Sequence, residues 1–333
     1  VPTIVPSESF NTVLYTGNGS TQAITGAGFE PDFTWIKQRS GGASHSLQDS
    51  VRGAGQSKNI YSDNTAAEGT YGQYGYLSAF GTDGFTVVQG SGSHTNANSS
   101  TYVAWNWKAG GAAVSNTDGT ITSQVSANVD AGFSIVSYTG NSTIPSTVAH
   151  GLDSAPELIM VKVLNQSYPW NVFSASIGNT KYLKLNETSA AATQISRWNN
   201  TSPTSAVFTI GNDGDVNGNG LNYIAYAFHS VDGFSKMGSY TGTGATGNTI
   251  VTGFESAFVM IKASSASGSW YMFDDKRLTS PYSDQLIANS SAAEATGTYV
   301  DLDSNGFTLN TTASDLNNSG VTFIFMAFAA DPT

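Results

Sequence analysis

The sequence predicts an all-β chain of three tandem antiparallel β-sandwich modules, of a jelly-roll kind. Three observations carry this: an opening motif that occurs three times, a composition hostile to helices, and short apolar segments at matching places after each motif. Tyr15-Thr16-Gly17-Asn18 returns as Tyr138-Thr139-Gly140-Asn141 and as Tyr240-Thr241-Gly242-Thr243. Repetition at intervals of about 123 and about 100 residues makes the fold modular, and ~100 residues suffice for a core of their own.

Of 333 residues, 36 are Gly and 9 Pro, which disfavours helix, while Val, Ile, Tyr, Phe and Trp gather in short runs suited to strands. Charged residues make up 11%, well under the roughly 25% of an average soluble protein, and Ser, Thr, Asn and Gly supply the polar surface instead. The net charge of −11 reflects scarce basic residues, so nucleic acid is not an expected partner; phosphate binding needs clustered Lys and Arg. Cysteine is absent, which rules out disulfides and thiolate metal sites. No apolar run approaches the ~20 residues of a membrane-spanning helix, so membrane insertion is not expected. The opening Val1-Pro2-Thr3-Ile4-Val5-Pro6 lacks the pattern of a signal peptide.

Each copy then repeats a series of landmarks. The first is an apolar strand ending in lysine: Phe33-Thr34-Trp35-Ile36-Lys37, Leu158-Ile159-Met160-Val161-Lys162 and Phe258-Val259-Met260-Ile261-Lys262. Such near-continuous apolar runs indicate strands covered on both faces. A hairpin loop leads to the second landmark, which begins at His45, Trp170 or Trp270. The third is a turn and strand: Asp83-Gly84-Phe85-Thr86-Val87, Val207-Phe208-Thr209-Ile210, and Asn305-Gly306-Phe307-Thr308-Leu309. The closing strands, Tyr102–Trp107, Tyr223–Phe228 and Phe323–Phe328, alternate large and small residues with a period of two. The expected organisation is an N-terminal arm over 1–8 and modules over 9–111, 132–229 and 230–333. Between the first two, 112–131 forms a linker or added hairpin that permits loose docking, whereas the short second connection implies rigid packing.

Four groups of residues are candidates for chemistry. Asp213, Asp215, Asn217 and Gly218 match the first half of an EF-hand-like Ca²⁺ loop, but Ile224 stands where the bidentate carboxylate belongs, and an ordinary polar loop is the competing explanation. Asp49 with Arg52, and Asp274 with Arg277, are spaced three apart; copy two has Ser174 and Ile177 there. They form either surface ion pairs worth ~0–1 kcal/mol or a ligand contact. Among the 6 Trp and 15 Tyr, Trp170, Trp198 and Trp270 lie beside polar loops where a ring can stack on a sugar, with His45 at the matching place in copy one; Trp35, Trp105 and Trp107 are assigned to core. Glu68 and Glu294 occupy like places in copies one and three and are the acids a glycoside hydrolase would use, yet no second acid accompanies either. No metal-binding His spacing or nucleophile elbow is present, so no catalytic residue is assigned.

Longer phrases carry a resemblance. Tyr15-Thr16-Gly17-Asn18-Gly19-Ser20, Phe29-Glu30-Pro31-Asp32-Phe33-Thr34-Trp35-Ile36-Lys37, Tyr102-Val103-Ala104-Trp105-Asn106-Trp107-Lys108-Ala109-Gly110-Gly111 and Phe228-His229-Ser230-Val231-Asp232-Gly233-Phe234-Ser235-Lys236-Met237-Gly238-Ser239-Tyr240 resemble a repeat family of virion proteins from marine tailed bacteriophages, cyanophages included. The closing Met326-Ala327-Phe328-Ala329-Ala330-Asp331-Pro332 is similar to the C-terminus of such proteins. The resemblance implies a structural protein on the exterior of a phage particle, with concanavalin-like modules, and supplies no catalytic or binding residue. The function expected from it is a capsid decoration, fibre or tail-associated adhesin contacting host-surface polysaccharide. Its partners would be other virion proteins and further copies of itself. The alternatives are a purely architectural part without ligand and a polysaccharide depolymerase.

Overall fold

A computed structural model describes residues 4–279 and 282–331. The chain is mostly β, in antiparallel sheets, with a few helical turns of three or four residues. Of the arm expected over 1–8, residues 1–3 lie outside the described part, and Pro6–Glu8 forms a 3₁₀ turn; Pro332 of the closing phrase also lies outside it.

The same four-stranded core sheet appears in each repeat. In the first, the opening strand Phe10–Thr16 pairs with the closing strand Thr101–Trp107; that strand pairs with the lysine strand Phe33–Gln38, which pairs with Ser46–Asp49. The order recurs as Phe133–Thr139, Asn222–Phe228, Leu158–Val163 and Asn171–Ser174. It recurs again as Ser235–Thr241, Thr322–Ala329, Ser256–Ala263 and Trp270–Asp274. The register is shared: Tyr15 lies opposite Tyr102, Tyr138 opposite Tyr223 and Tyr240 opposite Phe323, with ring centroids stacked at 5.0, 4.9 and 5.0 Å.

The opening motif is built for this frame. Tyr15, Tyr138 and Tyr240 donate their hydroxyls to the carbonyls of Thr95, Val216 and Leu316 at 2.6, 2.7 and 2.5 Å. The buried amides of Asn96, Asn217 and Asn317 accept the backbone N–H of Asn18, Asn141 and Thr243. Between these two clamps only glycine fits. A Cβ on Gly17, Gly140 or Gly242 would lie 2.3, 2.4 or 2.1 Å from a backbone oxygen, well inside van der Waals contact.

Each core sheet is covered on both faces, as its apolar runs predict. One face packs on a smaller sheet of its own repeat. In repeat 1, Ile36, Tyr102 and Ala104 meet Ile24, Leu77, Phe85 and Val87 from the sheet formed by Thr21–Thr25, Gly84–Gln89 and Gly75–Gly81. The other face enters a cluster shared by all three repeats. Phe33, Trp105 and Trp107 lie there with Phe133, Tyr226 and Phe228 from repeat 2, and with Phe258, Met326 and Phe328 from repeat 3. The period of two in the closing strands divides these layers, because alternate side chains point to opposite faces. Each repeat thus has an apolar cluster of its own, while the largest cluster belongs to none of them alone.

Residues 112–131 form the added hairpin rather than a loose linker. Val114–Asn116 and Ser123–Asn128 extend the core sheet of repeat 2 beside its opening strand. Repeat 1 is not loosely docked, since its aromatic residues stand inside the shared cluster.

Candidate functional site

His45, Trp170, Trp270 and the two Asp–Arg pairs, among the residues singled out for chemistry, stand at the seams between repeats, where one pattern is applied three times. Each strand-ending lysine is buried and crosses a seam to a backbone carbonyl. Lys162 of repeat 2 reaches Thr65 of repeat 1 (3.3 Å), Lys262 of repeat 3 reaches Thr188 of repeat 2 (2.9 Å), and Lys37 of repeat 1 reaches Ser291 of repeat 3 (3.1 Å). The last contact joins the C-terminal repeat to the N-terminal one, so the three heterologous contacts close into a ring within one chain.

His45, Trp170 and Trp270 make the second contact of each seam. The indole N–H of Trp170 donates to the carbonyl of Tyr61 at 2.7 Å, and that of Trp270 to Lys184 at 2.9 Å. His45 accepts from the Trp35 indole through Nδ1 at 2.8 Å, which leaves its Nε2–H to donate to the carbonyl of Ile287 at 3.0 Å. In place of Trp35 and His45, repeats 2 and 3 carry Met160 with Trp170 and Met260 with Trp270. The large ring moves to the neighbouring segment while the donor to the seam carbonyl is kept.

The Asp–Arg pairs form the third contact, and they are buried rather than on the surface. Arg52 binds Asp49 at 2.5 Å and Glu68 at 2.9 Å, and Asp49 accepts the Tyr226 hydroxyl of repeat 2 at 2.7 Å. Arg277 binds Asp274 at 2.6 Å and Glu294 at 2.8 Å, and Asp274 accepts the Trp105 indole N–H of repeat 1 at 2.9 Å. At the remaining seam Ser174, Ile177 and Ala191 replace the Asp–Arg–Glu set, and the facing donor becomes Met326. The backbone bond beside them survives, from Ala191 N–H to Ser264, as from Glu68 to Leu164 and from Glu294 to Arg39. A donor without its acid, or an acid without its donor, would leave a buried polar group unmet, so the set changes as a unit.

These placements correct the ligand assignments. Trp170, Trp198, Trp270 and His45 are all buried and present no ring face to a ligand; Trp198 lies edge-on to Phe173 in the core of repeat 2. Asp49 with Arg52, and Asp274 with Arg277, are occupied with each other within a repeat, and each aspartate also accepts a donor from the neighbouring repeat. The supposed metal ligands are divided as well. Asn217 is the turn clamp present in every repeat, Asp213 caps a short helix and pairs with Arg197, and Asp215 pairs with Arg197 at 2.8 Å. Among the described residues no group of three or more His, Cys, Asp or Glu side chains is arranged to hold a metal.

A polar groove of about 640 Å³ lies between repeats 1 and 2, lined by Arg52, Lys58, Glu68, Gln124, Asn165 and Asn222 among others. Glu68 is its only acid and is paired with Arg52 and, at 3.7 Å, with Lys58. Glu294 is held in a different seam by Arg277 and by a bidentate contact from Arg39. Burial raises the Glu294 carboxyl, but the hydrogen bonds from Arg39 and Arg277 outweigh this and bring it below its ordinary value. The two glutamates thus do not form the facing pair that glycoside hydrolysis uses.

Burial lowers Lys37 to about 8, Lys162 to about 7 and Lys262 to about 8. It also holds His45 well below its ordinary value, brings His94 down to about 4 and lowers His150. Below pH ~6.5 the unfolded chain takes up histidine protons that the folded chain refuses, and from pH ~7 to ~10 it retains lysine protons that the folded chain sheds. Stability therefore rises with pH across both windows. Above pH ~10 the order reverses, because burial holds Tyr15, Tyr138 and Tyr240 protonated while the unfolded chain loses those protons. Melting temperature is expected to climb from pH 5 to 9 and fall beyond 10, with a shallower climb above pH 7 in Lys162→Met. A wild-type profile that falls between pH 7 and 9 would refute this account.

Fold and seams together define the class: an antiparallel β protein whose three repeats are closed head to tail by buried polar contacts. A family model described as a domain of unknown function, DUF7483, matches residues 5–332, and the chain belongs to that family. Its match spans all three repeats. No curated protein matches the chain, and neither does a solved structure.

Proposed function

We propose that this chain is a structural protein on the exterior of a tailed-phage particle, a capsid decoration, fibre or tail-associated component built from three jelly-roll or concanavalin-like sandwich modules. The observation that carries the architectural role is the use of the recurring polar groups. Lysines, seam donors and Asp–Arg–Glu sets are all engaged in holding the repeats together. Placement on a phage rests on the phrases resembling virion repeats. A low-charge surface of Ser, Thr, Asn and Gly suits a particle exterior, and its partners there are other virion proteins and further copies of the chain. A depolymerase is the weaker alternative, since its acids Glu68 and Glu294 are committed to cations in separate seams.

The test is localisation. Antibodies against the folded chain should label the outside of density-purified particles, and mass spectrometry should find the chain there in stoichiometric amount. Its absence from purified particles would overturn the proposal, and shortening of host polysaccharide by the isolated chain, abolished in Glu68→Gln, would favour the enzyme.

A further inference from the structure

Repetition separates scaffold from special features: what the frame requires is present three times. One exposed feature occurs in repeat 1 alone. Tyr71 precedes and Tyr74 closes the 3₁₀ turn Gly72–Tyr74 that leads into Gly75–Gly81, and they are 38% and 36% exposed. Their rings are stacked at 6.0 Å with an interplanar angle of 24°. Counting from the seam residues Glu68, Ala191 and Glu294, the places of Tyr71 are taken by Gln194 and Gly297, and those of Tyr74 by Arg197 and Val300. The other repeats are built without these tyrosines, so the frame does not demand them.

We propose that Tyr71 and Tyr74 form a platform on which a neutral pyranose oligosaccharide stacks. A pyranose with equatorial hydroxyls offers a flat face of C–H groups to an aromatic ring, and tyrosine supplies rigid amphipathic contact with little side-chain entropy to lose. The platform is prearranged. Ser91 N–H and the Ser91 hydroxyl both donate to the Gln73 carbonyl, at 2.8 and 3.2 Å, and His94 N–H donates to the Tyr74 carbonyl at 3.2 Å. Glycines permit the close packing: a Cβ on Gly72 would lie 1.8 Å from the Gln56 carbonyl oxygen, and one on Gly90 2.1 Å from that of Gln73.

Beneath the pair sits a second layer. Tyr61 lies edge-on to Tyr71 at 5.6 Å, and His94 edge-on to Tyr74 at 5.3 Å and to Tyr61 at 5.5 Å. His94 is 9% exposed, and its Nδ1 has no hydrogen-bond partner among the described residues. A ring nitrogen left unmet just beneath the aromatic surface marks a place where a water carried in with the sugar would be held. A neutral sugar is specified because a chain of net charge −11 repels acidic polysaccharide.

Saturation-transfer NMR of the full chain with cellohexaose and laminarihexaose as probes tests the site. Transfer to the ring C–H protons of at least one probe is expected from the wild type. It should be retained in Tyr71→Phe/Tyr74→Phe, which keeps the rings, and affinity should fall roughly tenfold or more in Tyr71→Ala/Tyr74→Ala. Tyr71→Ala alone serves if the double variant does not fold, with a fall of roughly threefold. No transfer to either probe, or equal transfer in the alanine variants, overturns the proposal. That failure is distinguishable from failure of the virion assignment, which is read from purified particles and not from sugar binding.

Discussion

Trp107→Ala is expected to destabilise the whole chain by about 3–5 kcal/mol while leaving a single cooperative unfolding transition. Trp107 stands where the three repeats meet. Its ring lies within 5.0 Å of Phe10 and 5.2 Å of Phe33 in its own repeat, 6.4 Å of Phe228 in the second, and 6.0 and 5.8 Å of Phe258 and Phe328 in the third. Removing it opens a cavity that no repeat can close alone, because interiors packed to crystal density relax only in part. Calorimetry of wild type and variant decides the matter. Three separable transitions, or one in which only a third of the heat shifts, would show that the repeats are stable independently and that the shared cluster contributes little.

Asp274→Ala carries the second large effect, about 3–5 kcal/mol, for an electrostatic reason. It removes one of the two carboxylates of a fully buried arginine and the acceptor of the Trp105 indole in the same step. The chain itself supplies the control. Converting this seam to the apolar set found between repeats 2 and 3, by Asp274→Ser, Arg277→Ile, Glu294→Ala and Trp105→Met together, should cost less than Asp274→Ala alone, because the buried arginine and the indole donor leave with their partners and only the partly exposed Arg39 loses a carboxylate. Urea midpoints at constant slope measure both. If the four-site variant is the less stable of the two, the seam sets are not exchangeable units and the comparison between repeats fails.

Much of the frame was legible in the sequence. The triple motif, the lysine strands, the Asp-Gly and Asn-Gly turns and the alternating closing strands all mark real elements, because turn conformation and strand periodicity are properties of neighbouring residues. Continuous apolar runs also announced double-sided burial. The seam contacts are not legible locally. Trp170 and Trp270 follow polar loops and resemble exposed sugar platforms, yet each is buried by a repeat roughly a hundred residues away in sequence. Asp49 with Arg52 looks like a surface pair until Tyr226 closes over it. Tyr71 and Tyr74 stand in a Gly- and Tyr-rich stretch, and their lack of counterparts in the other copies is the signal of them that the sequence carries.

The sequence by itself determined that this protein is made of three similar β repeats with strands in a common order, since alternation, turn residues and recurrence are written locally. Only the tertiary structure decided that the repeats close head to tail around one apolar centre, and which polar side chains that closure buries. The reason is physical: burial and hydrogen-bond satisfaction of a seam residue depend on a partner far along the chain. The swaps of Trp35 and His45 for Met160 and Trp170, and of an Asp–Arg–Glu set for Ser174, Ile177 and Ala191, acquire meaning only once the facing residue is known.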